Sequence, residues 1–122
     1  MKNITIGIDG IDYVACVDSD KLTSKLESMP YVIVRTYSAG VFAGYLEKQE
    51  GKEVILRNVR RLWYWDGAAS LSQLAMEGVN KPDNCKFPVE VNKIILTEAI
   101  EILDCTDVAF NSIKNVKIWT QK

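Results

Sequence analysis

The sequence predicts an α+β fold, an antiparallel β-sheet core carrying two or three short helices. Two observations carry that prediction. Residues 31–65 and 89–105 are rich in β-branched and aromatic side chains, and they form blocks instead of alternating regularly with helices as a parallel sheet requires. The segment that follows each block carries a cap or stop residue and helical spacing. A third observation sets the scale: 122 residues, 48% hydrophobic and 25% charged, suit one domain, residues 1–122, able to bury its own core.

Residues 1–30 read as an N-terminal arm. Ile4, Ile6 and Ile8 alternate with polar or small residues, Asp9-Gly10 marks a turn, and Tyr13 to Val17 gives a returning strand. Asp18 or Ser19 can cap a short helix to about Ser28, and Pro30 stops it. The main body begins with Tyr31 to Tyr37 (YVIVRTY), a strand by composition. Gly40 permits a bend or bulge, Val41 to Lys48 makes a second strand, and Glu50-Gly51 a tight turn. Lys52 to Trp65 carries one long strand or two consecutive ones, closed by Asp66-Gly67. Ala68 to Val79 predicts a helix with Leu71, Leu74 and Ala75 on one face and Gly78 as its stop. After a proline-punctuated loop from Lys81 to Pro88, Val89 to Cys105 returns to β structure. Thr106 caps a last helix, roughly Asp107 to Asn115, and Ile118-Trp119 is expected to pack on the core.

The sequence contains no histidine. Histidine is the usual general base near neutral pH and the usual metal ligand, so Ser-His-Asp, Cys-His and His-metal constellations are excluded. Cys16, Cys85 and Cys105 are odd in number and widely spaced, so buried free thiols in a reducing compartment are expected, not a zinc or redox site. A net charge of −1 gives no general attraction to DNA, RNA or anionic membranes, and any polyanion site must be local. No apolar stretch approaches the roughly 18 residues of a membrane span, and the N-terminus lacks the pattern of a signal peptide. No cofactor or metal pattern emerges, and no serine, cysteine or lysine has an evident activating base. No catalytic residue is assigned.

The chemistry concentrates in one place. All four arginines (Arg35, Arg57, Arg60 and Arg61) fall between positions 35 and 61, whereas the lysines are scattered. Clustering the delocalised, always-charged residue suits recognition of phosphate. Leu62-Trp63-Tyr64-Trp65 follows immediately. Strict strand alternation would put Arg57, Arg61, Trp63 and Trp65 on one face, and Asn58, Arg60 and Tyr64 on the other, with Arg35 and Tyr37 sharing a face of the first strand. Guanidinium groups beside aromatic planes suit a nucleotide-like ligand, each stacked base contributing about 1–3 kcal/mol. Packing explains the same residues: tryptophans in strands are mostly core, and edge arginines are often solvated or face another subunit. The pattern alone leaves both explanations open. Phe87 and Asn92 flank the proline-rich loop, where one can cap a pocket and the other hydrogen-bond a base edge or ribose, loop packing being the alternative. Asp9, Asp12, Asp18 and Asp20 lack calcium-loop spacing, and Glu98 and Glu101 fall on opposite strand faces. Ser38-Ala39-Gly40 could offer backbone N–H groups to an anion or simply form a bulge.

The stretches RTYSAG, NVRRLWYWDGAASLSQLA and KIILTEAIEI, set within residues 31 to 118, resemble a small phage and prophage family, the first described Thoeris anti-defence family. One position departs from the familiar NARR pattern: Val59 stands in place of a small residue. The resemblance implies a non-enzymatic sponge that captures intact glyco-cyclic ADP-ribose, the messenger of TIR-domain defence proteins, in the host cytoplasm. It also implies binding of certain cyclic oligonucleotides and self-assembly as dimers and as hexamers built from dimers. On that basis Arg57, Arg60 and Arg61 are assigned to phosphates, Trp63 or Phe87 to adenine stacking and Asn92 to base or ribose, with Arg35 and Tyr37 as further contacts. A nanomolar sponge needs about −12 kcal/mol, which favours a pocket closed at a subunit interface over a shallow groove. The competing readings are an enzyme that hydrolyses such a messenger, using Glu98, Glu101 or Asp66, and a structural phage component whose Trp-rich strand is an oligomer interface.

Overall fold

A computed structural model describes Leu26 and residues 28–120. The strands and helix expected within the N-terminal arm lie outside the described residues, as do Cys16 and the four N-terminal aspartates. Five strands and two α-helices follow: β1 Tyr31–Thr36, β2 Val41–Glu50, β3 Glu53–Arg61, α1 Leu71–Glu77, β4 Val91–Leu96, β5 Ala99–Asp104 and α2 Asp107–Asn115. A single 3₁₀ turn, Pro82–Asn84, precedes β4. The fold is α+β with a wholly antiparallel sheet, in the order β4-β3-β2-β1-β5.

That order has a geometric consequence. β4 and β5 occupy opposite edges of the sheet, yet only Thr97 and Glu98 separate them. Three Cα–Cα steps reach at most about 11 Å, whereas the edges of a flat five-stranded sheet lie about 19 Å apart. The sheet must therefore curl. β4 and β5 run in the same direction, so they are two halves of one kinked strand that pairs first with β3 (Val54 opposite Leu96) and then with β1 (Thr36 opposite Ala99). Two further bonds fasten the seam, from Ala99 N–H to Lys52 O at 3.1 Å and from Tyr37 N–H to Glu98 O at 3.0 Å. The result is a small sheared barrel.

Curling demands irregularity, and the sequence supplies it in β2 and β3. Their register slips between Ala43 and Tyr45 and again between Leu46 and Lys48. Gly44 sits at the first slip, where a Cβ would come within 3.2 Å of Val59 Cα and 3.1 Å of Arg57 O. Opposite it, Asn58 takes φ 48 and inserts one extra residue into β3. Val32, Val34, Phe42, Val54, Leu56 and Leu96 fill the interior. Tyr31, Ile33, Ala43 and Leu62 face outward and are covered by Leu74 and Ala75 of α1, Ile113 of α2, and Phe87. β1 is thus buried on both sides, which explains its unbroken run of apolar residues.

Both helices are short and held by their caps. Ser70 Oγ accepts from Gln73 N–H at 3.2 Å and Thr106 Oγ1 from Ala109 N–H at 3.1 Å. Capture by Ser70 starts α1 at Leu71, three residues later than the predicted start at Ala68, and it ends at Glu77, inside the predicted span of 68–79. Gly78 ends it with φ 78, and a Cβ there would lie 2.3 Å from Ser112 Cβ. Ser112 Oγ in turn serves Val79, accepting its N–H at 3.0 Å. Gly78→Ala should therefore destabilise the fold by about 2 kcal/mol or more, from left-handed strain plus overpacking, read as a lower urea midpoint with unchanged slope.

Candidate functional site

The eight residues singled out by sequence do not converge on one cavity. The extra residue at Asn58 is the main reason. Beyond it the alternation of β3 shifts by one, so Val59 and Arg61 face the barrel interior while Arg60 and Arg57 face outward. Arg57 and Arg61 therefore do not share a face, contrary to the strict alternation of a regular strand. The register confirms the shift: Arg61 lies opposite interior Phe42, whereas Arg60 and Arg57 lie opposite outward-facing Ala43 and Tyr45.

Each arginine has a different environment. Arg60 is 3% exposed, and its guanidinium donates to the carbonyls of Phe87, Ile113 and Val116, each at 2.8 Å. It also lies over the Phe87 ring, 5.4 Å from the centroid. Burial pushes its pKa down from the usual arginine value, with Tyr31 and Glu90 nearby opposing that shift. Every strong donor of Arg60 is thus committed inside the protein, which corrects its assignment to a phosphate. Phe87 is fully buried, which corrects its assignment to adenine stacking. Arg57 pairs with Glu47 across a half-buried surface, and Arg35 with Glu101 at 2.9 Å in the open.

Arg61, the last residue of β3 and on its inward-facing side, is exposed at the open end of the barrel, and unlike exposed Arg35 it has no carboxylate partner among the described residues. It lies 4.4 Å above the centroid of Phe42 and donates to Ala39 O at 2.7 Å. The Ser38-Ala39-Gly40 bend holds itself together, because Thr36 Oγ1 accepts Ala39 N–H and donates to Gly40 O. Trp63, two residues beyond Arg61, is 64% exposed. Asn92 is exposed on β4, and Tyr37 lines a cavity of about 250 Å³ with Lys52, Glu98 and Ile100.

The larger concavities lie beyond the end of β3. Tyr64 and Lys86 form an isolated antiparallel bridge, and Ile118 a parallel one with Phe87. These bridges bring Tyr64, Lys86 and Trp119 together, so that Lys86 Nζ lies 6.0 Å and 5.6 Å from the Tyr64 and Trp119 ring centroids. Two adjoining cavities, of about 420 and 470 Å³, share Asp83, Cys85 and Trp119. Asp66 accepts from Asn84 Nδ2 at their rim, at 3.0 Å. Ile118 and Trp119 remain 51% and 39% exposed, so these side chains wall a groove instead of completing the core. Lys86 and Trp119 lie far apart in sequence, and only the bridge pattern reveals their meeting. Among the described residues no cluster of acidic or cysteine side chains could hold a metal ion, and no helix is long and apolar enough to cross a membrane.

Buried Tyr31 and half-buried Cys105 set the alkaline limit of this scaffold. Tyr31, packed edge-to-face against Tyr45 and Phe110, has a buried hydroxyl without a hydrogen-bond partner among the described residues, and burial pushes its pKa upward. Burial, with Asp104 adding to it, raises the Cys105 thiol to about 12. Both are acids whose neutral forms the fold favours. Their contribution is complete below the unfolded values of 9.0 and 10.0 and is lost as pH climbs through that range toward the folded values. Unfolding free energy should therefore fall above about pH 9, and Cys105→Val should remove part of that slope in urea titrations at successive pH. Replacing Arg60 gives a larger effect. Arg60→Met removes three charged hydrogen bonds and leaves the Val116 carbonyl without its guanidinium donor, while Phe87 O and Ile113 O keep backbone N–H donors. It should cost about 3 kcal/mol in the same assay, with Arg60→Lys restoring only part of it.

A family model described as a domain of unknown function (DUF6948) matches residues 29–113, from just before β1 into α2. No curated protein matches the chain.

Proposed function

We propose that this chain, which belongs to the DUF6948 family, sequesters a cyclic ADP-ribose-type messenger, with glyco-cyclic ADP-ribose as principal ligand and cyclic oligonucleotides as further ones. The observation that carries the proposal is Arg61. Its guanidinium is supported on the Phe42 ring and held by one carbonyl, at the exposed end of β3, directly ahead of exposed Trp63. A fixed cation beside an open aromatic plane matches the phosphate and base of such a messenger. Arg57 and Arg35 add guanidiniums whose partially exposed ion pairs are worth little and can be exchanged for a ligand phosphate. The absence of histidine from the sequence suits capture without proton transfer; the anti-defence resemblance of residues 31 to 118 supports the same reading, with the host cytoplasm as the site of action.

Self-association belongs to the same reading. β4 is a sheet edge, and Val91 and Ile95 along it, with Val89 just before it, are 39%, 53% and 58% exposed. An unpaired edge lined with apolar side chains favours pairing with a second chain.

The reading is tested by isothermal titration with glyco-cyclic ADP-ribose, followed by denaturation and recovery of the nucleotide. Tight binding with intact ligand is expected, and turnover beyond one ligand per site would refute sequestration. Affinity should change little between about pH 6 and 8, because arginine stays protonated there. Arg61→Ala should weaken binding by about tenfold or more, in line with the ~1.5–3 kcal/mol of a charged hydrogen bond; native mass spectrometry on the same samples reports assembly.

A further inference from the structure

We infer that the groove walled by Tyr64 and Trp119 is an adenosine-phosphate half-site, and that it receives part of the messenger whose capture is proposed above. Each of its two cavities, about 420 and 470 Å³, is within the size range of small-molecule sites. Its walls are placed by backbone. Lys86 N–H donates to Tyr64 O at 2.7 Å and Tyr64 N–H to Lys86 O at 3.3 Å, while Trp119 N–H donates to Phe87 O at 3.0 Å. Both rings are thereby presented on a frame anchored to the buried Phe87, and the ordering entropy is met before a ligand arrives.

The charges select the ligand. Lys86 lies within cation–π range of both rings and, among the described residues, pairs with no carboxylate. Its stem is flexible, so the ammonium can swing to a phosphate and free the ring faces for a base. Lys117 lines the adjoining cavity. Two aspartates balance these lysines. Asp66 is oriented by the Asn84 amide, and Asp83 sits where the cavities join. A carboxylate is the usual acceptor for ribose hydroxyls, as in dinucleotide sites. Two cations with two carboxylates disfavour a polyanionic strand, but they match a compact nucleotide that presents hydroxyl donors and phosphate together. Arg61 stands three residues before Tyr64, at most about 11 Å away along the chain, so one messenger can engage both.

The test uses the full chain, with glyco-cyclic ADP-ribose and AMP as separate probes in isothermal titration. Trp119→Ala and Lys86→Ala should each weaken messenger binding, Trp119→Ala by about 5- to 150-fold, the loss of one stacked base. Trp119→Phe should retain most of the affinity, and thermal melts of the exposed-site variants should overlay the parent. AMP should bind weakly and lose its heat in Trp119→Ala. Messenger binding unchanged in both alanine variants would overturn the half-site while sparing the sequestering reading. Failure of the parent to bind the messenger, with AMP still bound through Trp119, would refute sequestration and sustain the half-site. No heat from either probe at millimolar concentration would overturn both.

Discussion

The Arg60 guanidinium, 3% exposed and donating to the carbonyls of Phe87, Ile113 and Val116, ties two separate pieces of chain to the barrel. Phe87 belongs to the segment leading into β4, and Ile113 and Val116 to the last turn and cap of α2. A helix C-terminus leaves carbonyls without intrahelical partners and carries partial negative charge. Arg60 bonds the Val116 carbonyl and the Ile113 carbonyl, which also accepts the Val116 cap N–H, and brings a full positive charge to that end. A buried cation ordinarily needs a carboxylate; here carbonyl dipoles surround it instead. The depressed pKa records the cost of burial, yet an arginine remains charged far above neutral pH. Because the staple requires a planar donor fork, lysine is a poor substitute.

From that staple the surrounding geometry follows. Holding Phe87 against the barrel fixes Lys86 opposite Tyr64, and the bridge from Phe87 to Ile118 fixes Trp119. The groove is therefore an extension of the core: its aromatic walls stand at half exposure because the backbone beneath them is pinned. The barrel depends on a different constraint, the two-residue link between β4 and β5, which forces the sheet to close. Closure in turn demands the bulges in β2 and β3, and the bulge at Asn58 decides which arginines look inward and which look out.

Much of the fold was legible because local signals and tertiary structure agree. The β-branched run of β1, the Glu50-Gly51 turn, and the caps at Ser70 and Thr106 all act within a few residues. The order of elements follows from them. The arginine cluster was legible as a cluster, but its division of labour was not. Period-two alternation assumes a regular strand. Although asparagine is one of the few non-glycine residues that takes the left-handed conformation readily, a single Asn58 within a β-rich run does not announce the bulge it makes. Phe87 sits between two prolines' worth of loop sequence and reads as accessible, yet the cation it serves lies 27 positions away on another element. Lys86, Trp119 and Tyr64 meet through isolated bridges, a pairing that leaves no periodic trace.

The separation of Arg60 from Arg61 makes physical sense for a protein that must bind tightly without reshaping itself. Adjacent arginines on an alternating strand necessarily point to opposite sides, so one can be spent on structure while its neighbour stays open. Arg60 rigidifies the frame, and Arg61, steadied on Phe42 by cation–π contact, loses little further freedom when it meets a phosphate. A flexible lysine in the same place would forfeit more entropy on binding. Lys86 fits the same logic from the other direction: its resting place between two rings stores the ammonium near the groove without closing it. On the proposed reading, affinity rests less on the number of charges than on how few of them must be ordered when the messenger arrives.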